Sequence, residues 1–317
     1  LLPGLFVILL SLGCLVAFRS AISASALPSV APPSEGGAKQ PATTLSLDRQ
    51  SRVDPDSPGS PPKARHAAGH VIEVFTNTWA GNTLGFVYDP VRDRMRYVHE
   101  SQPYTTVFDI QIGAPHAVLG SYSLSVVNTG WPADLDNRTG AGFDPASNTF
   151  FLPDYNGDLS NADDNIIEIM PNGTILNAWE MDDEVGSNDS SDGTSIDSII
   201  DIAVVPGSPT RYFATAAYDG SVVYEIALAK TGTWWTPNSW STVMTCSVPG
   251  LTDNLGIDYD ATTGRLFHSG WHTDTLVVTD LSCTPEVTFT CTSNAGYNSG
   301  VAYIEGSHPP EVWVTNF

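Results

Sequence analysis

One phrase recurs along this chain and limits what it can fold into. Its fullest copy, residues 253–281, opens on an apolar strand over 255–259 led by Gly256, turns at 260–264 and returns in a second strand over 265–269. A short hairpin over 270–274 then leads to a third strand over 275–280. Apolar residues that alternate between Gly, Asp and Thr clusters are the mark of half-buried strands. A meander this small cannot cover both of its faces, so copies of it must stack alongside.

The leading glycine locates the copies. Gly85 precedes Phe86-Val87-Tyr88-Asp89-Pro90, Gly140 precedes Ala141-Gly142-Phe143-Asp144-Pro145, and Gly300 precedes Val301-Ala302-Tyr303-Ile304. In one copy Asp201 takes the glycine's place, ahead of Ile202-Ala203-Val204-Val205-Pro206. Second strands are predicted over 95–99, 149–152, 211–216 and 311–315, and third strands over 105–110, 165–170 and 221–226. Fourth strands are predicted over 122–127, 174–179, 241–247 and 287–292. The anchors Gly85, Gly140, Asp201, Gly256 and Gly300 stand 44 to 61 residues apart. Four antiparallel strands per period, without helical periodicity between them, predict an all-β fold: a β-propeller of four-stranded blades. Inner strands converge on the propeller axis, where a side chain would crowd its neighbours, which accounts for the glycines. Asp-Pro and Asp-Ala-Thr-Thr-Gly after the first strand supply Asx caps for a tight hairpin.

The run Gly256-Ile257-Asp258-Tyr259-Asp260-Ala261-Thr262-Thr263-Gly264-Arg265-Leu266-Phe267, with the phrases at Gly85 and Gly142, resembles the repeats of six-bladed propellers. That class includes NHL-repeat, YWTD-type and gluconolactonase-like (senescence marker protein) proteins. The resemblance spans about residues 70–317 and implies, from the gluconolactonase-like members, metal ligands gathered from several blades at the channel mouth. The Gly-His…Trp-Asp signature of WD repeats, kelch double glycines and the sialidase Asp box are absent.

Ahead of the repeats, an apolar run over 5–18 is followed by Arg19 and by Ala24-Ser25-Ala26. Residues 1–26 thus read as a signal peptide cleaved before Leu27. The run is shorter than the roughly 20 residues of a membrane span, so a secreted or cell-surface protein without membrane insertion is expected. Residues 27–68 are rich in Pro, Ser, Ala and Gly and read as a linker; the propeller is assigned to 69–317. The segment 70–75 resembles the third strands, and the last repeat runs out after two strands. It is therefore predicted to pair with 311–315 and complete a composite fifth blade, or a sixth if the natural chain continues past Phe317.

The net charge is −22, with lysine only at positions 39, 63 and 230. So acidic a surface excludes nucleic acid and anionic membranes as partners. Cys246, Cys283 and Cys291 follow the signal segment. Cys283 and Cys291 flank one connection and suit a local disulfide with Cys246 left over, pairing across blades being the alternative. N-glycosylation sequons begin at Asn137, Asn172 and Asn188.

Two loops carry candidate ion ligands. Asp154, Asn156 and Asp158 have the alternate oxygen spacing that wraps calcium in short acidic loops. The stretch 182–198 holds a looser version at Asn188, Ser190 and Asp192. Asn82, Asn137, Asp197 or Asp201, Asp253, Asn254 and Asn298 precede the innermost strands and would ring the channel mouth with oxygens, a second place for calcium. Turn preference alone would put Asn and Asp in all these places. His268 and His272 bracket a hairpin, and Trp234 and Trp235 share a loop where aromatic rings can stack on a ligand. Gly-x-Ser-x-Gly, P-loop and dinucleotide fingerprints are absent. The expected function is a secreted, non-enzymatic, monomeric propeller that binds an extracellular protein or glycan. The alternative is a calcium-dependent hydrolase, lactonase or lyase working at the channel mouth.

Overall fold

In the computed structural model the described residues are 41–46, 70–76, 83–99, 105–113, 115–124, 138–154, 165–181, 196, 199–217, 219–230, 238–271, 273, 275–290, 298–304 and 311–316. They belong to one compact unit, Lys39–Phe317. Among them are twenty strands in five four-stranded antiparallel sheets and no helix. The chain is a β-propeller.

The first blade is β3 (Thr83–Asp89), β4 (Arg94–His99), β5 (Thr105–Gln111) and β6 (Val118–Leu124). The second is β7 (Gly142–Asp144), β8 (Thr149–Pro153), β9 (Asn165–Ile169) and β10 (Ile175–Glu180). The third is β11 (Ile199–Val205), β12 (Arg211–Ala216), β13 (Val222–Leu228) and β14 (Trp240–Ser247). The fourth is β15 (Asp253–Asp260), β16 (Arg265–Trp271), β17 (Thr275–Thr279) and β18 (Pro285–Thr290). The fifth is composite. It joins β19 (Asn298–Ile304) and β20 (Glu311–Asn316) to β1 (Pro41–Ser46) and β2 (His70–Thr76).

Closure differs from the sequence expectation in one respect. Residues 70–75 do not meet the last strand directly. β1 pairs with β20 through Thr43–Val314 to Ser46–Glu311, and β2 pairs with β1 as the outermost strand. β1 falls inside the stretch that composition marks as a linker, because three strand-compatible residues, Thr43, Thr44 and Leu45, are diluted there by Pro, Ser and Gly. A blade left with two strands needs two more to match its neighbours, and the amino-terminal hairpin supplies both.

The ring closes with five blades, where the family resemblance implied six. Innermost strands neighbour one another in the cyclic order β3, β7, β11, β15, β19 and back to β3. Each junction has its own apolar core. Val98 and Val107 meet Phe150 and Ile167 between the first and second blades. Phe151 and Trp179 meet Ile202 and Tyr212 at the next junction, and Phe213 meets Ile257 and Leu266 at the one after. Phe267 and Leu276 meet Val301 and Val312, and finally Ala302 and Trp313 meet Phe86 and Tyr97. Successive residues of β19 thus serve opposite neighbours, as alternation along a strand requires. Phe267 stacks on Tyr303 at a centroid distance of 5.0 Å, and the Arg96 guanidinium lies 4.0 Å above the Phe150 ring. Each such contact adds about 0.5–1.5 kcal/mol beyond area burial.

The glycine anchors sit where the blades crowd. A Cβ on Gly85 would fall on the Gly140 Cα and the Thr139 carbonyl, and one on Gly140 would lie 2.5 Å from the Asp201 Cα. A Cβ on Gly256 would lie 2.8 Å from the Val301 nitrogen and 2.9 Å from the Gly300 carbonyl carbon. The predicted Asx caps are also present. Asp89 accepts from the amides of Val91 and Arg92, Asp144 from that of Ala146, and Asp260 from that of Thr262. The local disulfide is not formed. Cys246, on β14, is bonded to Cys283, in the turn after β17, so the bridge ties the third blade to the fourth. Cys291 lies outside the described residues.

Candidate functional site

The edge of an innermost strand that faces the axis has no further strand to pair with, so its amides need other acceptors. Two carboxylates meet that need. Asp201 sits on β11, at the position other blades give to glycine. Its Oδ1 accepts from the amides of Ala141 in the second blade, at 3.1 Å, and of Ile202, at 2.9 Å. Its Oδ2 accepts from the amide of Ile257 in the fourth blade at 3.0 Å. One side chain therefore ties three blades. Asp258, two residues past the Gly256 anchor, repeats the device: Oδ1 accepts from its neighbour Tyr259 at 2.8 Å and Oδ2 from Tyr303 of the fifth blade at 2.7 Å.

Burial dominates the electrostatics of both groups. It pushes the Asp201 carboxyl well above its ordinary range, against the pull of three amide donors and with help from the nearby Asp258 charge. Asp258 is pushed up to about 7, again chiefly by burial. A carboxyl that titrates near neutrality is suited to proton transfer. Here, however, the oxygens of both groups are engaged by backbone amides, which makes them ties between blades. Threonine hydroxyls act likewise: Thr139 donates to the Ile200 carbonyl and Thr215 to the Leu255 carbonyl, each at 2.8 Å and each across a junction.

The sequence-predicted mouth residues separate into different roles. Asn254 is fully buried on β15, with its side chain against His268 Nδ1 at 3.1 Å. The amide orientation that satisfies the surrounding groups has Oδ1 accepting from Nδ1–H and Nδ2 donating to the Ser269 and Gly256 carbonyls. His268 Nε2 meets the Thr279 hydroxyl at 2.9 Å. Burial lowers the His268 pKa to about 3, so the ring is neutral and acts as an internal brace of the fourth blade. Asp253 opens β15 opposite Trp271, and Asn298 opens β19 opposite Asn316. Asn82 and Asn137 lie outside the described residues.

Asp154 is buried and faces the fully buried Arg138, Oδ2 to Nη2 at 3.5 Å. Arg138 also donates to the Leu152 carbonyl at 3.1 Å. Asn156 and Asp158, the other two members of the proposed calcium loop, lie outside the described residues, as do 182–195, His272, Trp234, Trp235 and the signal segment. Among the described residues no group of three or more His, Cys, Asp or Glu is placed to hold a metal ion. The repeat pattern marks Asp201 only as an anchor or mouth residue and carries no sign of the roles of Asp258 and Arg138. An aspartate in place of a repeated glycine was the available signal for Asp201.

No protein-family model matches the chain, and no curated protein matches it. Among solved structures it is similar to the β-propeller domain of Cps50 (Swd1) from Myceliophteria thermophila, at 10% identity and a TM-score of 0.37 over 70% of this chain and 58% of that one. It is similar to a chain of the nidogen/laminin complex at 13% identity and a TM-score of 0.43, over 82% and 97% of the two chains. A third likeness is to the hydrazine synthase of Kuenenia stuttgartiensis, at 8% identity and a TM-score of 0.40, over 74% and 55%. The chain spans a little over half the length of the Cps50 and hydrazine synthase chains. Likenesses this remote say nothing of what the chain binds, and the propeller stands on its own sheets and junctions.

Proposed function

We propose that this chain is a secreted, non-enzymatic recognition module that holds an extracellular protein or glycan on one face of its propeller. The observation that carries this reading is the engagement of the axial carboxylates. Asp201 and Asp258 accept amides from neighbouring blades, which makes the axis a structural pillar and leaves recognition to the loops.

The topology favours one face. β8 ends at Pro153 and β9 begins at Asn165, while β10 ends at Glu180 and β11 begins at Ile199. Both connections start and end on the side where the innermost strands begin. Their sequences include Asp158, Asp163 and Asp164 in the first and Asp182, Asp183 and Glu184 in the second. A ligand of complementary, positive charge would be steered to that side, with strong salt dependence.

The test is binding, at two ionic strengths, to panels of immobilised glycans and of basic and acidic proteins. A variant with Asp182, Asp183 and Glu184 changed to Asn, Asn and Gln is compared with Asp201→Asn and Asp258→Asn. The neutralised-loop variant should lose binding to basic ligands at least tenfold while its melting temperature holds. Hydrolysis of an ester, lactone or glycoside substrate that calcium supports and Asp258→Asn abolishes would overturn this reading in favour of an enzyme.

A further inference from the structure

One motif in the sequence is given a definite setting by the fold. Asn172-Gly173-Thr174 forms the connection between β9 and β10, and both Asn172 and Thr174 are exposed. The Gly173 amide donates to the Met170 carbonyl at 2.9 Å, and the Met170 amide donates to the Thr174 carbonyl at 2.8 Å. Pro171 pre-sets the first turn position, and Gly173, at φ +87°, takes a conformation that glycine favours. The Thr174 amide donates to Asn172 Oδ1 at 3.1 Å, closing an Asx turn around the acceptor side chain. The inner side of the turn rests on the first blade, since a Cβ on Gly173 would lie 2.9 Å from the Tyr122 ring.

The sequon at Asn137 has a different setting. Its two following residues, Arg138 and Thr139, are fully buried, and the Thr139 hydroxyl donates to the Ile200 carbonyl of the next blade. Asn188 lies outside the described residues.

We propose that Asn172 is an N-glycosylation site of the folded protein. The donor class is a polyprenyl-diphosphate oligosaccharide. A bond forms between Asn172 Nδ2 and the anomeric carbon of the first sugar, and the bond from that carbon to the phosphate oxygen breaks. The polyprenyl diphosphate leaves with the bonding electron pair, and one amide proton passes to the transferase base. The connection lies at the end opposite the start of the innermost strands, so the sugar leaves the acidic face free for a ligand. This proposal rests on the secretion part of the reading above.

The experiment expresses the full chain in a eukaryotic secreting host. It maps the Asn172 and Asn137 peptides of the medium fraction by mass spectrometry, before and after peptide N-glycosidase. The panel is the parent, Asn172→Gln, Thr174→Ala, Thr174→Ser and Asn137→Gln, with protease resistance as the check on folding. The Asn172 peptide should carry a glycan in the parent, Thr174→Ser and Asn137→Gln, and lose it completely in Thr174→Ala. A folded parent with Asn172 unmodified, or glycosylated at Asn137 instead, overturns the proposal. Repeating the panel behind a heterologous secretion signal separates the two readings. A parent that reaches the medium only with that signal refutes native secretion, while its Asn172 peptide still decides the site.

Discussion

Asp201 and Ile257 belong to adjacent blades, and Asp201 Oδ2 accepts the Ile257 amide at 3.0 Å while Oδ1 reaches back to Ala141 at 3.1 Å. A single carboxylate thereby occupies a ring position that glycine fills elsewhere. Asp201→Asn keeps the volume but puts an NH2 group where amides point. With a buried donor or acceptor left unsatisfied, the variant should lose about 1–3 kcal/mol. Denaturant unfolding measures this, and an unchanged midpoint would show that the axial amides do not depend on the carboxylate.

The two raised carboxyls give a pH dependence of defined sign. Asp258 titrates near 7 in the fold and near 4 when unfolded, so between those values the folded state binds more protons. Its contribution is most favourable below pH 4 and is lost as pH rises towards 7. His268 acts in the opposite sense: lowered to about 3, it favours the fold increasingly as pH rises from 3 to 6.5. Removing the Asp258 titration should therefore make the slope of stability against pH between 4 and 7 more positive, by up to about 1.4 kcal/mol per pH unit. Melting curves of the parent and Asp258→Asn across that range test this; parallel curves would contradict it.

The Cys246–Cys283 bridge closes a sequence separation of 37 residues across a blade junction. Chain-entropy reasoning puts its contribution at about 4 kcal/mol. A non-reducing peptide map should recover the Cys246 and Cys283 peptides linked, and Cys246→Ser with Cys283→Ser should lower the unfolding free energy by that order. A bridge from Cys291 to either partner would refute the pairing.

What was legible in the sequence follows from what is local. Glycine at 85, 140 and 256 reports close approach of backbones, and Asp at 89, 144 and 260 reports a turn that caps itself, so blades and hairpins could be read from short phrases. Relations that join distant segments left little trace. β1 pairs with β20 across almost the whole chain, inside a stretch whose composition masks a short strand. Cys246 and Cys283 meet because two blades pack side by side, whereas spacing within one blade favoured Cys291. The place of Asn254 before an inner strand suggests a mouth residue. The strand pairing turns it inward to His268, fourteen residues away.

Arg138 and Asp154 allow the structural and ion-binding accounts of one carboxylate to be separated. Both side chains are buried, and Asp154 Oδ2, at the head of the proposed calcium loop, lies 3.5 Å from Arg138 Nη2. A cation drawn to Asp154 would have to compete with a guanidinium already facing it. Removing one partner of a buried pair strands the other charge and costs about 3–5 kcal/mol, whereas replacing both with apolar residues costs much less. Asp154→Ala should therefore lose that amount in chelator and in millimolar calcium alike. The double variant Arg138→Leu with Asp154→Leu should recover much of the loss, a non-additivity that a double-mutant cycle reads directly. Thermal and urea unfolding of the four proteins, each with and without calcium, decide the matter. A loss confined to calcium-containing buffer, with additive single and double effects, would return Asp154 to the role of an ion ligand alongside Asn156 and Asp158.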